Sequence, residues 1–141
     1  MNLVTRRERA ARGAWLVAIL VVVVGSLLPA ASLPMRMLDR LQISDKIQHF
    51  GAYAVLAFLP AVHERWKFVL VAGFGLMAMG YGLEVGQLYS PGRSYDLADF
   101  AADAVGVCCG VILAIPLRGA VRSLLRLQPD SSSGSGDHPK Y

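Results

Sequence analysis

An all-α, membrane-spanning bundle of four helices is the fold class this sequence predicts, and three observations predict it. Of 141 residues, 55% are hydrophobic and the mean hydropathy is +0.46, too apolar for a small soluble domain. Four segments, at about 14–32, 45–62, 68–88 and 97–117, approach the roughly 20 apolar residues that a spanning helix needs. Runs such as 16–24 are continuously apolar and lack the period-two alternation of a membrane β-barrel.

The first segment follows Arg6, Arg7, Arg9 and Arg12, the basic flank of a span that starts in the cytoplasm. Its apolar run, 14–31, exceeds the roughly 7 to 15 residues of a signal-peptide core, so an uncleaved span is expected. Residues 33–44, with Pro34, read as an external loop. Ser44 stands as the N-cap of a second helix, 45–62, that carries Pro60 near its inner end. Residues 63–67 allow only a tight connection, so the second and third helices are antiparallel neighbours. Trp15 and Trp66 fall at the inner interface, where indole rings are favoured.

The third helix, 68–88, is glycine-rich, and Gly82-x-x-x-Gly86 offers a close helix approach. Tyr89-Ser90-Pro91-Gly92 is a turn. In the fourth helix, Asp96, Asp99, Asp103, Gly106 and Gly110 advance by three or four and share one face, acidic at its start and small further on. Asp96 suits an N-cap, with Asp99 as its capping-box partner.

The expected organisation is a basic cytoplasmic N-terminus (1–13), a single transmembrane domain (14–127) and a disordered cytoplasmic tail (128–141). With both termini inside, ten basic residues flank the cytoplasmic side and four the outer side, which supports this orientation. The net charge of +4 comes without a dense basic tract interleaved with aromatics, so nucleic acid is not an expected partner. Cys108 and Cys109 are adjacent, point different ways from one helix and serve as small packing residues.

Four antiparallel spans bring distant polar residues to one membrane face. Asp45, Lys46, His49 and Tyr53 open the second helix, Glu84 and Gln87 close the third, and Arg93, Asp96, Asp99 and Asp103 open the fourth. An ionised side chain in a span costs roughly 2.5 to 3.5 kcal/mol even on lenient scales, so the clustering asks for a cause. Asp45, Glu84, Asp96, Asp99 and Asp103 face only Lys46 and Arg93 as fixed cations. Either carboxyl groups hold protons, or a cation sits among them, or water enters. Each requires a polar cavity that opens outward.

Taken singly, these residues have ordinary readings: Lys46 can snorkel, Tyr53 can pack with its hydroxyl bonded to a neighbour, and His49 can be an interior histidine. Glu84, about a turn inside its span, is the hardest to dismiss. His49, Glu84, Asp99 and Asp103 are metal-compatible donors, but no H-E-x-x-H spacing supports a metal, and no metal or cofactor is expected. Ser94, His49 and Asp99 supply the types of a hydrolytic triad without a nucleophile elbow. If the protein is an enzyme, Glu84, His49 and Asp99 are the catalytic candidates, with His49 or Glu84 as general base.

Together, Asp45-Lys46-x-x-His49, Tyr53, Glu84-x-x-Gln87, Arg93-Ser94-x-Asp96-x-x-Asp99 and Gly106-x-x-x-Gly110 resemble the VanZ-like family of small bacterial membrane proteins. The likeness spans about residues 45–113, roughly half of the chain. Where that family usually has an asparagine four residues after the helix-four aspartate, this chain has Asp103, which adds a charge. The resemblance implies a multi-pass protein of the bacterial inner membrane. Through the member that names the family, it also implies a link to resistance against teicoplanin-type glycopeptides. The leading expectation is recognition of a membrane lipid or other cell-envelope component at the outer leaflet. A membrane-embedded transferase or hydrolase on a lipid-linked substrate is the alternative. A structural cluster, with assembly on a partner or a second copy of the chain, is the third reading.

Overall fold

The computed structural model describes residues 3–29, 31–41, 43–92, 94 and 96–126. Five helices follow in order: α1 (Leu3–Leu27), α2 (Leu33–Arg40), α3 (Asp45–His63), α4 (Trp66–Gln87) and α5 (Leu97–Arg126). Among the described residues three segments are long and apolar enough to cross a membrane: Arg9–Leu27, Trp66–Gln87 and Leu97–Ala120. The expected span at 45–62 is present as the helix α3, but Asp45, Lys46, Gln48 and His49 in its first turns keep it out of that group. The expected tail, 128–141, lies outside the described residues.

α3 is the centre of the bundle and touches α1, α4 and α5. Its closest neighbour is α5, and glycine is the reason. A Cβ placed on Gly106 would strike the carbonyl oxygen of Phe50, and one on Gly110 would strike that of Ala54. Both obstacles are backbone atoms that cannot rotate aside, so the two helices meet at this distance only without a side chain there. The expected close approach at Gly82 and Gly86 is not made. Gly82 faces open space, and Gly86 meets only the side chain of Leu27, at 3.0 Å.

Tyr53, Leu56, Ala57, Leu76 and Val107 form one buried core, against which Trp15, Ile19 and Val22 of α1 pack. Ala61, Val62, Val69 and Ala114 form a second core toward the opposite end of the bundle. No residue of the α1 span is itself buried, so α1 lies on the bundle rather than in it.

Pro60 lacks the N–H that would satisfy the Leu56 carbonyl one turn earlier in α3. Trp15 of α1 supplies it: its indole Nε1 donates to the Leu56 carbonyl at 2.7 Å, while its ring meets Phe68 edge-on at 5.9 Å. Trp15 therefore serves as an internal donor, a role its expected place at the interface did not require. Near the end of α3 the buried Arg118 of α5 donates to the Ala61 carbonyl at 2.8 Å and lies over the Trp66 ring at 4.8 Å. Arg12 grips Glu64 with two bonds, at 2.6 and 3.0 Å, and holds its carboxyl below the usual carboxylate range.

The residues expected to form an external loop contain α2. Pro34 falls in the first turn of this helix, where a missing N–H breaks no bond. Leu33 and Met37 are exposed, while Met35 and Leu38 turn toward the bundle. The turn after α4 forms as expected, with Gly92 at a left-handed φ of 79°.

Candidate polar cleft

At the end of the bundle where α3 and α5 begin and α4 stops, three helical faces interlock. Lys46, His49 and Tyr53 of α3 lie on successive turns of one face, and Asp99 and Asp103 lie one turn apart on α5. Lys46 Nζ pairs with Asp96 Oδ2 at 2.7 Å and with Asp99 Oδ1 at 3.4 Å. One turn deeper, His49 Nδ1 donates to Asp103 Oδ1 at 2.9 Å. With Asp103 ionised and His49 neutral, this bond takes its proton from Nδ1 and leaves Nε2 with its lone pair.

Asp96 caps α5 as expected, with Oδ1 accepting from the Ala98 N–H at 2.8 Å. The ammonium of Lys46 and this amide together hold its carboxyl below the usual range. Its own N–H donates to Glu84 Oε2 at 3.1 Å, so Glu84 of α4, not Asp99, completes the cap. Ser44 occupies the N-cap position of α3 but makes no side-chain capping bond; its carbonyl accepts the Ile47 and Gln48 N–H groups.

Glu84 and Asp103 are 0% exposed and Tyr53 is 1% exposed. Glycine again makes the room: a Cβ at Gly80 would lie 2.7 Å from Asp103 Oδ2 and 3.1 Å from Tyr53 Oη. The hydroxyl of Tyr53 was expected to bond a neighbour, yet it has no partner among the described residues, and neither have Glu84 Oε1 and Asp103 Oδ2. Gln87, also buried, donates to the Ser26 carbonyl at 3.2 Å and ties the end of α4 to the end of α1. Arg93 lies outside the described residues. His49 takes Asp103 rather than Asp99 as its carboxylate, so a Ser94–His49–Asp99 triad is not assembled.

Two cavities open beside this cluster. One, of about 190 Å³, is lined by Asp45, Lys46, Gln87, Ser94, Asp96 and Asp99. The other, of about 220 Å³, runs between α1 and α3 past Val21, Val22, Gly25, Ala52 and Tyr53, with His49 in its wall. Met35, Leu38, Asp45, Gln48 and Gln87 line both. The residues expected as a loop thus contribute Met35 and Leu38 of α2 to both cavities.

Apolar helices that gather ionisable side chains from three of their number at one end define an integral membrane protein with a built polar cleft. Residues 17–118 match the VanZ/LLP1 family, and the chain belongs to it. The match takes in α1 as well as the motif-bearing helices. Neither a curated protein nor a solved structure matches the chain.

Proposed function

We propose that the protein binds an amphiphilic cell-envelope component, a lipid or lipid-linked molecule. The polar end would occupy the cleft over Lys46, Asp96 and Asp99, and the apolar part would lie along the groove between α1 and α3. The observation that carries this reading is the pair of adjoining cavities, one lined mainly by charged and amide side chains and one whose wall surface is mostly apolar, sharing Met35 and Leu38 of α2 as a wall. Amphiphile sites divide in the same way, with a few placed polar groups beside an apolar channel.

Lys46 is half exposed and so is Asp96, and an exposed ion pair of this kind contributes little, because solvent and salt screen it. A headgroup phosphate could therefore draw Lys46 from its carboxylate partners at little cost, while hydroxyl or amine groups would meet Asp45 and Asp99. Arg93, close in sequence, is the second candidate cation. The excess of basic residues at the other end of the bundle favours termini in the cytoplasm, which puts the cleft in the outer leaflet of the inner membrane.

Leu38→Trp, which fills the shared wall, should lower co-purified lipid in native mass spectrometry at least tenfold while far-ultraviolet circular dichroism keeps its helical signal. Retention equal to wild type would refute the site. The tie to teicoplanin-type resistance rests on the family alone, and its test is glycopeptide susceptibility of cells with and without the protein.

A further inference from the structure

The bonding inventory of the cluster is incomplete in one place. Glu84 uses Oε2 on the Asp96 N–H, Asp103 uses Oδ1 on His49, and Glu84 Oε1, Asp103 Oδ2 and Tyr53 Oη remain buried with no partner among the described residues. An unmade bond on a buried polar atom costs about 1 to 3 kcal/mol, and more for a charged group. Of the three side chains, Glu84 is the one that stands among further ligand atoms.

One donor atom from each of His49, Glu84 and Asp99 lies within 4.8 Å of the other two. Ligands held about 2.0 to 2.2 Å from a common ion in a tetrahedral or trigonal array stand about 3.3 to 3.8 Å apart, so closure of the widest pair by at most about 1.5 Å completes a coordination triangle. We propose that His49, Glu84 and Asp99 bind one divalent transition cation of the zinc or manganese class, with Asp103 as the carboxylate that orients His49.

Each ligand has the required atom to spare. The Nδ1–H of His49 is committed to Asp103, which leaves Nε2 for the ion, and a carboxylate behind the ring is how metal-bound imidazoles are usually held. Glu84 offers Oε1. Asp99 gives Oδ1 to Lys46 and keeps Oδ2. A set of one nitrogen and two oxygens suits zinc, manganese or ferrous ion better than calcium or magnesium, which take oxygen alone. Two carboxylates balance the charge of a dication. Asp99 lines the polar cavity and His49 the apolar one, so an ion has a path to the site. The ligands come from three helices, and no local spacing rule registers such a set.

The site stands independently of the lipid reading, and its test uses no lipid. Untagged protein in detergent is stripped with chelator, dialysed against zinc or manganese, and assayed for bound metal per chain. Cobalt substitution reports the ligand field through its visible bands. The expected result is one saturable ion per chain, with affinity lowered at least tenfold by His49→Ala and by Glu84→Gln, and about 10- to 100-fold by Asp103→Asn. Alanine at the other two histidines, His63 and His138, should leave it unchanged. Wild-type protein that binds no ion saturably would overturn the proposal, and so would binding that survives His49→Ala but falls with His63→Ala or His138→Ala. The wild-type titration and cobalt spectrum need no variant, so a variant that fails to fold does not shield the proposal. Lipid retention in Leu38→Trp reads the cleft without the ion, so either reading can fail while the other holds.

Discussion

Gly110 and Gly82, one from each glycine pair, should respond differently to one added methyl group. In Gly110→Ala the new Cβ meets the Ala54 carbonyl oxygen and lies 3.1 Å from the Ala54 Cα, and both are backbone atoms of α3. Overpacking of this kind costs about 1 to 3 kcal/mol. Replacing a helical glycine by alanine returns about 0.5 to 1 kcal/mol. The net is a loss of up to about 2.5 kcal/mol, which changes the folded-to-unfolded ratio by as much as roughly 70-fold. At Gly82, with nothing within 4 Å, only the second contribution remains, so Gly82→Ala should be neutral or slightly stabilising. The assay is unfolding of each variant by dodecyl sulfate in mixed micelles, followed by the fluorescence of Trp15 and Trp66. Gly82→Ala losing as much stability as Gly110→Ala, or Gly110→Ala gaining any, would refute the assignment of the α3–α5 contact to the second pair.

Two further outcomes follow from the opposite end of the bundle. Trp15→Phe keeps a ring against Phe68 but removes the donor to Leu56, and should cost about 1 to 3 kcal/mol in the same assay, whereas Trp66→Phe, which removes no such bond, should cost less. Glu64 has its folded pKa lowered from 4.5 by Arg12, so its contribution is present above pH 4.5 and fades as the pH falls through the folded value. Glu64→Gln should therefore trail wild type by up to about 1 kcal/mol at neutral pH, with the gap closing in acid. A gap that stays constant to pH 3 would show that the ion pair is not its source.

Much of the cleft was legible because helices are periodic and short connections make them antiparallel. Those two facts were enough to bring Lys46, His49, Glu84, Asp96, Asp99 and Asp103 to one end of the bundle, though not to pair Lys46 with Asp96 and Asp99 or His49 with Asp103. Which glycine pair makes the close contact was not legible, since Gly82-x-x-x-Gly86 and Gly106-x-x-x-Gly110 are alike as strings and differ only in what stands opposite. Pro34 disguised α2, because a proline that stops a helix in mid-course is harmless in its first turn. Arginine, alanine and glutamate let α1 begin ahead of its apolar run, since these are good helix formers. The Trp15–Leu56 bond had a signal, namely the carbonyl that Pro60 leaves without a donor. The identity of that donor depended on packing.

That bond also bears on the order in which the chain can settle. In lipid there is no water to satisfy the Leu56 carbonyl, so α3 by itself carries a debt of backbone polarity until another helix docks. The helix that docks is α1, and synthesis runs from the N-terminus, so Trp15 is already in place when residue 56 emerges. A segment made earlier thus acts as a template for a later one that is poorly suited to be there alone. Moving α1 to the C-terminus by circular permutation would keep every contact in the finished bundle and remove only this precedence.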